Sequence, residues 1–258
     1  MSSTFYKKIN KPKINKPIIV ALDFDDKQKA LALVNQLDPN QCRLKVGKEM
    51  FTSFGAEWVQ ILIDKGFDVF LDLKFHDIPN TVAKACVAAA KLGVWMVNIH
   101  ATGGRQMMQT AKKALDDYYQ QQREIGLAND VVVSKTLLIA VTILTSMDDE
   151  TFQELGYKRS IQEQVEHLAK LAQESGLDGV VCSAKEAEKL SELLGDSFAL
   201  ITPGIRPANA SSDDQTRIMT PVNAILAGSS YLVIGRPITQ SADPLKALCD
   251  ISESIASL

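Results

Sequence analysis

Ile18-Ile19-Val20-Ala21-Leu22-Asp23-Phe24-Asp25 is the stretch that separates the two folds open to this chain. Five apolar residues in a row fit a strand covered on both faces, as in a parallel sheet. They run into a carboxylate at the strand end, with no glycine behind them. A doubly wound open sheet that bound a dinucleotide would carry a Gly-rich turn at this place. A (β/α)8 barrel asks instead for polar groups at the strand ends, because its chemistry gathers on that rim.

The rest of the chain repeats the pattern. Further short apolar runs are Arg43–Gly47, Asp68–Lys74, Trp95–His100, Thr136–Thr142, Gly179–Ser183, Phe198–Pro203 and Tyr231–Gly235. Between them lie stretches with helical spacing: Lys27–Leu37, Ala56–Lys65, Thr81–Leu92, Gly104–Tyr118, Ile161–Glu174 and Ala184–Leu194. Polar residues close nearly every strand: Asp23, Lys45, Asp72 and Lys74, His100, Thr142 and Thr145, Ser183, Arg206 and Arg236. The pattern predicts an α/β chain folded as a single (β/α)8 barrel with parallel strands.

No Gly/Ser linker or low-complexity block divides the chain, and one barrel accommodates 258 residues. The expected organisation is a flexible basic tail over residues 1–16 and a catalytic barrel over residues 17–258. Twenty-eight Lys and Arg against 31 Asp and Glu give a net charge of −3, which argues against a general nucleic-acid binder. No apolar run reaches the roughly 18 residues of a membrane span. The tail from Phe5 to Lys16 carries five lysines but no apolar stretch, so it does not read as a secretory signal. Lys7, Lys8, Lys11, Lys13 and Lys16 read as solvated. Cys42, Cys86, Cys182 and Cys249 lie far apart, which suits four reduced thiols in a cytoplasmic protein better than a disulfide frame or zinc site.

The densest chemical signal is Asp72-Leu73-Lys74-Phe75-His76-Asp77-Ile78-Pro79-Asn80-Thr81. Asp72 and Lys74 are two apart on a strand, so both point to one face, the barrel interior or its mouth. Charges there are unfavourable unless paired. A buried ion pair that merely fixes the core is the plain alternative, but such pairs stabilise weakly, which favours a functional role. Pro79 fits the first turn of the next helix. Arg206 follows Gly204 after the seventh strand, and Arg236 follows Gly235 after the eighth. Loops at those two places frequently bind phosphate, and arginine supplies a fork matched to its oxygens. Gly235-Arg236-Pro237 alone would read as a turn with an exposed arginine; paired with Gly204-Ile205-Arg206 it reads as a phosphate site.

Other features take the bland reading. His76, His100 and His167 have no second histidine at ligand spacing and read as structural groups. Trp58, Trp95 and Phe70 read as packing residues, because they fall in apolar runs without a basic stripe beside them.

Asp72-x-Lys74-x-x-Asp77-Ile78-x-x-Thr81 resembles the signature of the orotidine 5′-monophosphate decarboxylases. Ala21-Leu22-Asp23, Lys45-Val46-Gly47, Leu144-Thr145-Ser146, Thr202-Pro203-Gly204-Ile205-Arg206 and Ile234-Gly235-Arg236-Pro237 match the same family in order. Each is weak alone, and their succession at strand ends is specific. One departure is Gln120–Lys135, longer than the bacterial form leads one to expect; it reads as a surface connection that carries none of the matched residues.

The resemblance implies decarboxylation of orotidine 5′-monophosphate to UMP and CO2, the last step of UMP synthesis, without cofactor or metal. It implies Lys74 as the residue that stabilises the carbanion and delivers the proton, with Asp72, Asp77 and Lys45 completing the charge row. Asp23 and Lys45 would hold the ribose hydroxyls, Thr145 would lie at the pyrimidine, and Arg206, Gly235 and Arg236 would take the phosphate. Gln215 would add a contact near phosphate and base, on a closing loop over Pro207–Arg217. Asp77 and Thr81 are expected to reach into the site of a second subunit in a homodimer. Two readings compete: a sugar-phosphate decarboxylase or epimerase on the same barrel, and a non-catalytic barrel that binds a phosphorylated metabolite. The nucleotide-side residues Thr145 and Gln215 favour the first reading over the one, and the complete charge row favours it over the other.

Overall fold

The computed structural model describes residues 14–128, 134–207 and 219–258. Eight parallel strands close into a barrel in sequence order: β1 (Ile18–Leu22), β2 (Arg43–Gly47), β3 (Val69–Phe75), β4 (Met96–His100), β5 (Leu137–Val141), β6 (Gly179–Val181), β7 (Ala199–Thr202) and β8 (Tyr231–Ile234). Closure is made by β1 against β8, with Ile18 opposite Leu232 and Val20 opposite Ile234. The predicted strands are all present, within a residue or two at each end.

Helices form the outer layer: α1 (Lys27–Val34), α2 (Lys48–Asp64), α3 (Pro79–Lys91), α4 (Gly104–Ala128), α5 (Asp149–Glu154), α6 (Ile161–Glu174), α7 (Ala184–Leu194), α8 (Pro221–Leu226), α9 (Arg236–Thr239) and α10 (Pro244–Ala256). Their starts are written locally. Asp26 caps α1 by accepting from the amides of Gln28 and Lys29, and Ser160 pairs with Glu163 in a capping box on α6. Pro79 takes the first turn of α3, as expected.

Two of the expected helices differ markedly in extent, and α5, α8, α9 and α10 add to the stretches expected. Helix α2 begins at Lys48, ahead of the predicted Ala56, and Gly55 breaks it with φ 66°, a conformation that favours glycine. Helix α4 runs past Tyr118 to Ala128, so most of the Gln120–Lys135 connection is helical. Its length reflects good helix formers, Gln120-Gln121-Gln122-Arg123-Glu124, which carry the spacing on beyond the apolar face.

The barrel interior is filled in storeys. Ile19, Phe70, Met96, Ile139, Ile201 and Val233 pack across its waist, so it is a core and not a pore. Below them, at the N-terminal ends of the strands, the Arg43 guanidinium lies 4.3 Å from the ring centre of Trp95 and 5.3 Å from that of Tyr231. It also meets Asp68 at 3.3 Å and donates to the carbonyls of Asn15 and Lys16. Trp95 thus packs as expected, and Arg43 reaches it from another strand, a contact invisible in its local sequence.

Lys16 departs from the sequence reading. Its ammonium pairs with Asp68 at 2.9 Å and donates to the Pro39 carbonyl at 3.1 Å, so it is tied down rather than solvated. Lys7, Lys8, Lys11 and Lys13 lie outside the described residues. Trp58 and Phe70 are fully buried as expected, and the four cysteines are free thiols. Burial raises the thiols of Cys42 and Cys86 to about 12, which makes them inert.

Candidate active site

The upper storey, at the C-terminal ends of the strands, is polar. From β1 to β3 it forms a row of alternating charge. Lys45 Nζ lies 3.7 Å from Asp23 Oδ1 and 3.3 Å from Asp72 Oδ2, and Lys74 Nζ lies 2.6 Å from Asp72 Oδ1. Gly47 leaves room for this: a Cβ there would stand 3.3 Å from Lys45 Nζ and 3.9 Å from Asp23 Oδ1.

Asp72 is the hub of the row and only 9% exposed. Burial pushes its carboxyl upwards, but Lys45, Lys74 and the hydrogen bonds from Lys74 and Asn98 outweigh that and hold it below the usual carboxylate range. It is therefore an anion at neutral pH, between two cations.

Strand β3 does not deliver Lys74 by simple alternation. The β3–β4 register runs from Leu71 opposite Val97 to Phe75 opposite Ile99, so β3 carries extra residues over this span. Lys74 sits in that bulge with φ 54°, one of two non-glycine residues with positive φ among the described residues. The predicted pairing of Asp72 with Lys74 is present, but on a bent backbone.

Asn98, in the middle of β4, fills the gap. Its Nδ2 donates to Asp72 Oδ1 at 2.7 Å, and its Oδ1 accepts from the Lys74 amide at 2.8 Å. It is not among the residues expected from the sequence, although a lone amide within Met96-Val97-Asn98-Ile99 is a signal. A polar side chain in a fully buried strand needs partners.

His100 ends β4 beside the row, with its ring 5.5 Å from that of His76. Burial, then the nearby His76, Lys48 and Lys74, depress it to about 4 against the opposing pull of Asp72. It is neutral under physiological conditions. His167 is exposed on α6.

Asp77 stands away from this cluster. It is exposed on the loop after β3 and accepts from the Ile78 amide at 2.6 Å. Among the described residues no ion pair joins it to Lys74 of the same chain. Ile78 beside it is 66% exposed, and Thr81 is exposed on the first turn of α3.

The remaining predicted residues that the structure describes occupy the same rim. Thr145 is half-buried in a turn after β5. Arg206 is buried after β7, where its amide donates to the Met219 carbonyl at 3.1 Å. Gly235 follows β8, facing Ala21 and Asp23 at the end of β1, and Arg236 opens α9. Gln215 lies outside the described residues. Among the described residues no group of three His, Cys, Asp or Glu side chains has a metal-holding arrangement.

Residues 16–251 match the pattern of the Orotidine 5′-phosphate decarboxylase / HUMPS family. The chain belongs to that family. It is 60% identical over 242 residues to the orotidine 5′-phosphate decarboxylase of Shewanella sediminis, covering 94% of this chain and 98% of that one. The enzyme of the same name from Pseudoalteromonas translucida is 59% identical over 241 residues, covering 93% and 97%. Among solved structures, the orotidine 5′-phosphate decarboxylase of Lactobacillus acidophilus superposes with a TM-score of 0.79 at 40% identity, over 93% of this chain and 99% of its own. This member of the orotidine 5′-phosphate decarboxylase family keeps Asp23, Lys45, Asp72 and Lys74 as one connected cluster on the rim of its barrel.

Proposed function

We propose that this enzyme converts orotidine 5′-monophosphate to UMP and CO2 without a cofactor, as the last step of UMP synthesis. The carrying observation is the Lys74 ammonium held at 2.6 Å by a buried carboxylate at the mouth of the barrel. Loss of CO2 from the pyrimidine leaves an electron pair on carbon with no ring sink to take it. A cation fixed at that carbon stabilises the developing charge and then supplies the proton.

Asp72 serves in two ways. It holds the Lys74 side chain in place, and it lies against the substrate carboxylate, which its charge pushes towards departure. Such a repulsion is worth about 4 kcal/mol at about 4 Å and an effective dielectric of about 20. The largest enzymatic accelerations need about 23 kcal/mol or more. Stabilisation of the carbanion-like transition state by Lys74 therefore carries most of the rate.

Asp23 and Lys45 hold the ribose hydroxyls, Thr145 and Gln215 meet the base, and Gly235, Arg206 and Arg236 receive the phosphate. Asp23 is well placed for this, because it is exposed on the rim and only loosely joined to Lys45. The enzyme acts as a homodimer in which Asp77 and Thr81 of one subunit complete the Lys74 site of the other. The exposure of Asp77, Ile78 and Thr81 along one edge of the rim supports this reading. The free thiols suit the reducing cytoplasm as its place of work.

The test is an ultraviolet assay of purified, metal-stripped protein with orotidine 5′-monophosphate. Conversion to UMP that is indifferent to chelator is the expected result. No conversion, or turnover only of a sugar phosphate in a chelator-sensitive reaction, would overturn the reading.

A further inference from the structure

We propose that Asn98 is a positioning residue for decarboxylation, its carboxamide holding the Lys74 main chain and the Asp72 carboxylate together across the break in the β3–β4 ladder. The inference rests on the reading above, that Lys74 meets the reacting carbon.

Asn98 is fully buried and sits in regular register with β5, opposite Ile139. Strand β4 is thus the fixed side of the gap and β3 the displaced one. Between Leu71 and Phe75 the β3 backbone leaves the ladder, and the Lys74 amide takes a side-chain acceptor, Asn98 Oδ1, at 2.8 Å. The orientation of the carboxamide follows from chemistry. An amide N–H can only donate and an ionised carboxylate can only accept, so Oδ1 must face Lys74 and Nδ2 must face Asp72.

One planar group therefore ties both ends of the ion pair to β4. The main-chain bond sets where the Lys74 side chain leaves the backbone, in a left-handed conformation that a lysine does not adopt without support. The bond to Asp72 Oδ1 fixes the oxygen that also receives the Lys74 ammonium. Neither bond places Asn98 in contact with the reacting atoms. Its effect passes through Lys74 and Asp72.

Asn98→Ala and Asn98→Asp test the role together. Loss of the carboxamide lets Lys74 drift, and a misplacement of about 1 Å can cost on the order of 10²-fold. For Asn98→Ala the expected loss falls on kcat, with KM shifted by less than about threefold, because substrate contacts are untouched.

Asn98→Asp keeps the shape and adds a titration. The neutral acid can still accept from the Lys74 amide and donate its O–H to Asp72, whereas the anion repels Asp72. The introduced carboxyl would face Asp72 and Lys74 of β3, within a cluster that also holds Lys45 of β2, Asp23 after β1 and His100 at the end of β4. His100 titrates at about 4 and adds nothing above about pH 5. The expected kcat of Asn98→Asp is near wild type on the acid side and falls up to tenfold per pH unit as the carboxyl ionises, while wild type sets the reference profile.

A folded Asn98→Ala enzyme with wild-type kcat would overturn the role, as would an Asn98→Asp profile parallel to wild type. If Asn98→Ala fails to fold, the isosteric variant alone decides. Wild-type protein inactive in the same assay would instead overturn the parent reading, and this one with it.

Discussion

Lys74 Nζ lies 2.6 Å from Asp72 Oδ1 although the backbone between them has left the regular strand conformation. The contact is thus a product of the bulge, not of strand alternation alone. Lys74→Ala is expected to abolish decarboxylation in a folded protein. Asp72 would keep Lys45 at 3.3 Å and Asn98 at 2.7 Å, so the stability loss should stay below the 3–5 kcal/mol typical of a broken buried pair. Steady-state turnover and a thermal melt check this; more than a few per cent of wild-type turnover would remove Lys74 from its role, given the roughly 10²-fold or more typical of acid–base groups.

Arg236 carries the phosphate prediction. Loss of a charge-assisted hydrogen bond of about 1.5–3 kcal/mol should lower kcat/KM by roughly 10- to 150-fold in Arg236→Ala. A substrate without the phosphate should hardly notice the change, because remote binding energy is what the variant removes. Equal losses with both substrates would show that Arg236 acts through the fold of the rim instead.

Shared sites make a prediction about mixtures. Lys74→Ala and Asp77→Ala subunits, each inactive alone, should regain activity when co-expressed. A mixed dimer has one site with both lesions and one with neither. Random pairing makes half the dimers mixed, so roughly a quarter of all sites return to wild-type composition. Activity no higher than the average of the two parents, in a sample shown to contain mixed dimers, would mean that each subunit serves itself.

His100 makes an acid-stability prediction. Its ordinary value near 6.5 falls to about 4 in the fold, so the unfolded chain takes up a proton that the folded one refuses. The stability contribution is fully present above about 6.5 and is lost as pH falls through about 4. Thermal melts at about pH 7 and pH 4.5 should show a smaller drop for His100→Asn than for wild type. An equal drop in both would contradict the assignment.

Much of this was legible in the chain. The parallel barrel could be read because its strands are short apolar runs with polar ends, and Asp72 and Lys74 stood out as charges inside such a run. Asn98 did not stand out, since its meaning depends on a register break that arises between two strands. The Arg43–Trp95–Tyr231 stack was hidden for the same reason: three storey-mates come from β2, the start of β4 and β8. Helix α2 extends eight residues ahead of Ala56 because the chain passes Gly55 with a kink and continues, which local spacing does not show. Local pattern shows periodicity and composition, and it is silent about partners brought together by closure.

Closure of the barrel by β1 against β8 has a consequence for how the protein is made. Ile18 leaves the ribosome about 200 residues ahead of its ladder neighbour Leu232. At roughly 5–20 residues per second, β1 waits on the order of 10–40 s for that neighbour. Throughout the wait the nascent sheet has an open edge, and β1, five buried apolar residues, is the kind of segment that templates aggregation. Lys16 and Pro17 stand immediately before it, and Asp23, Asp25 and Asp26 follow at once. Charges that flank an apolar strand are of the kind that hinder such pairing, and one of them, Asp23, also joins the charge row of the folded chain.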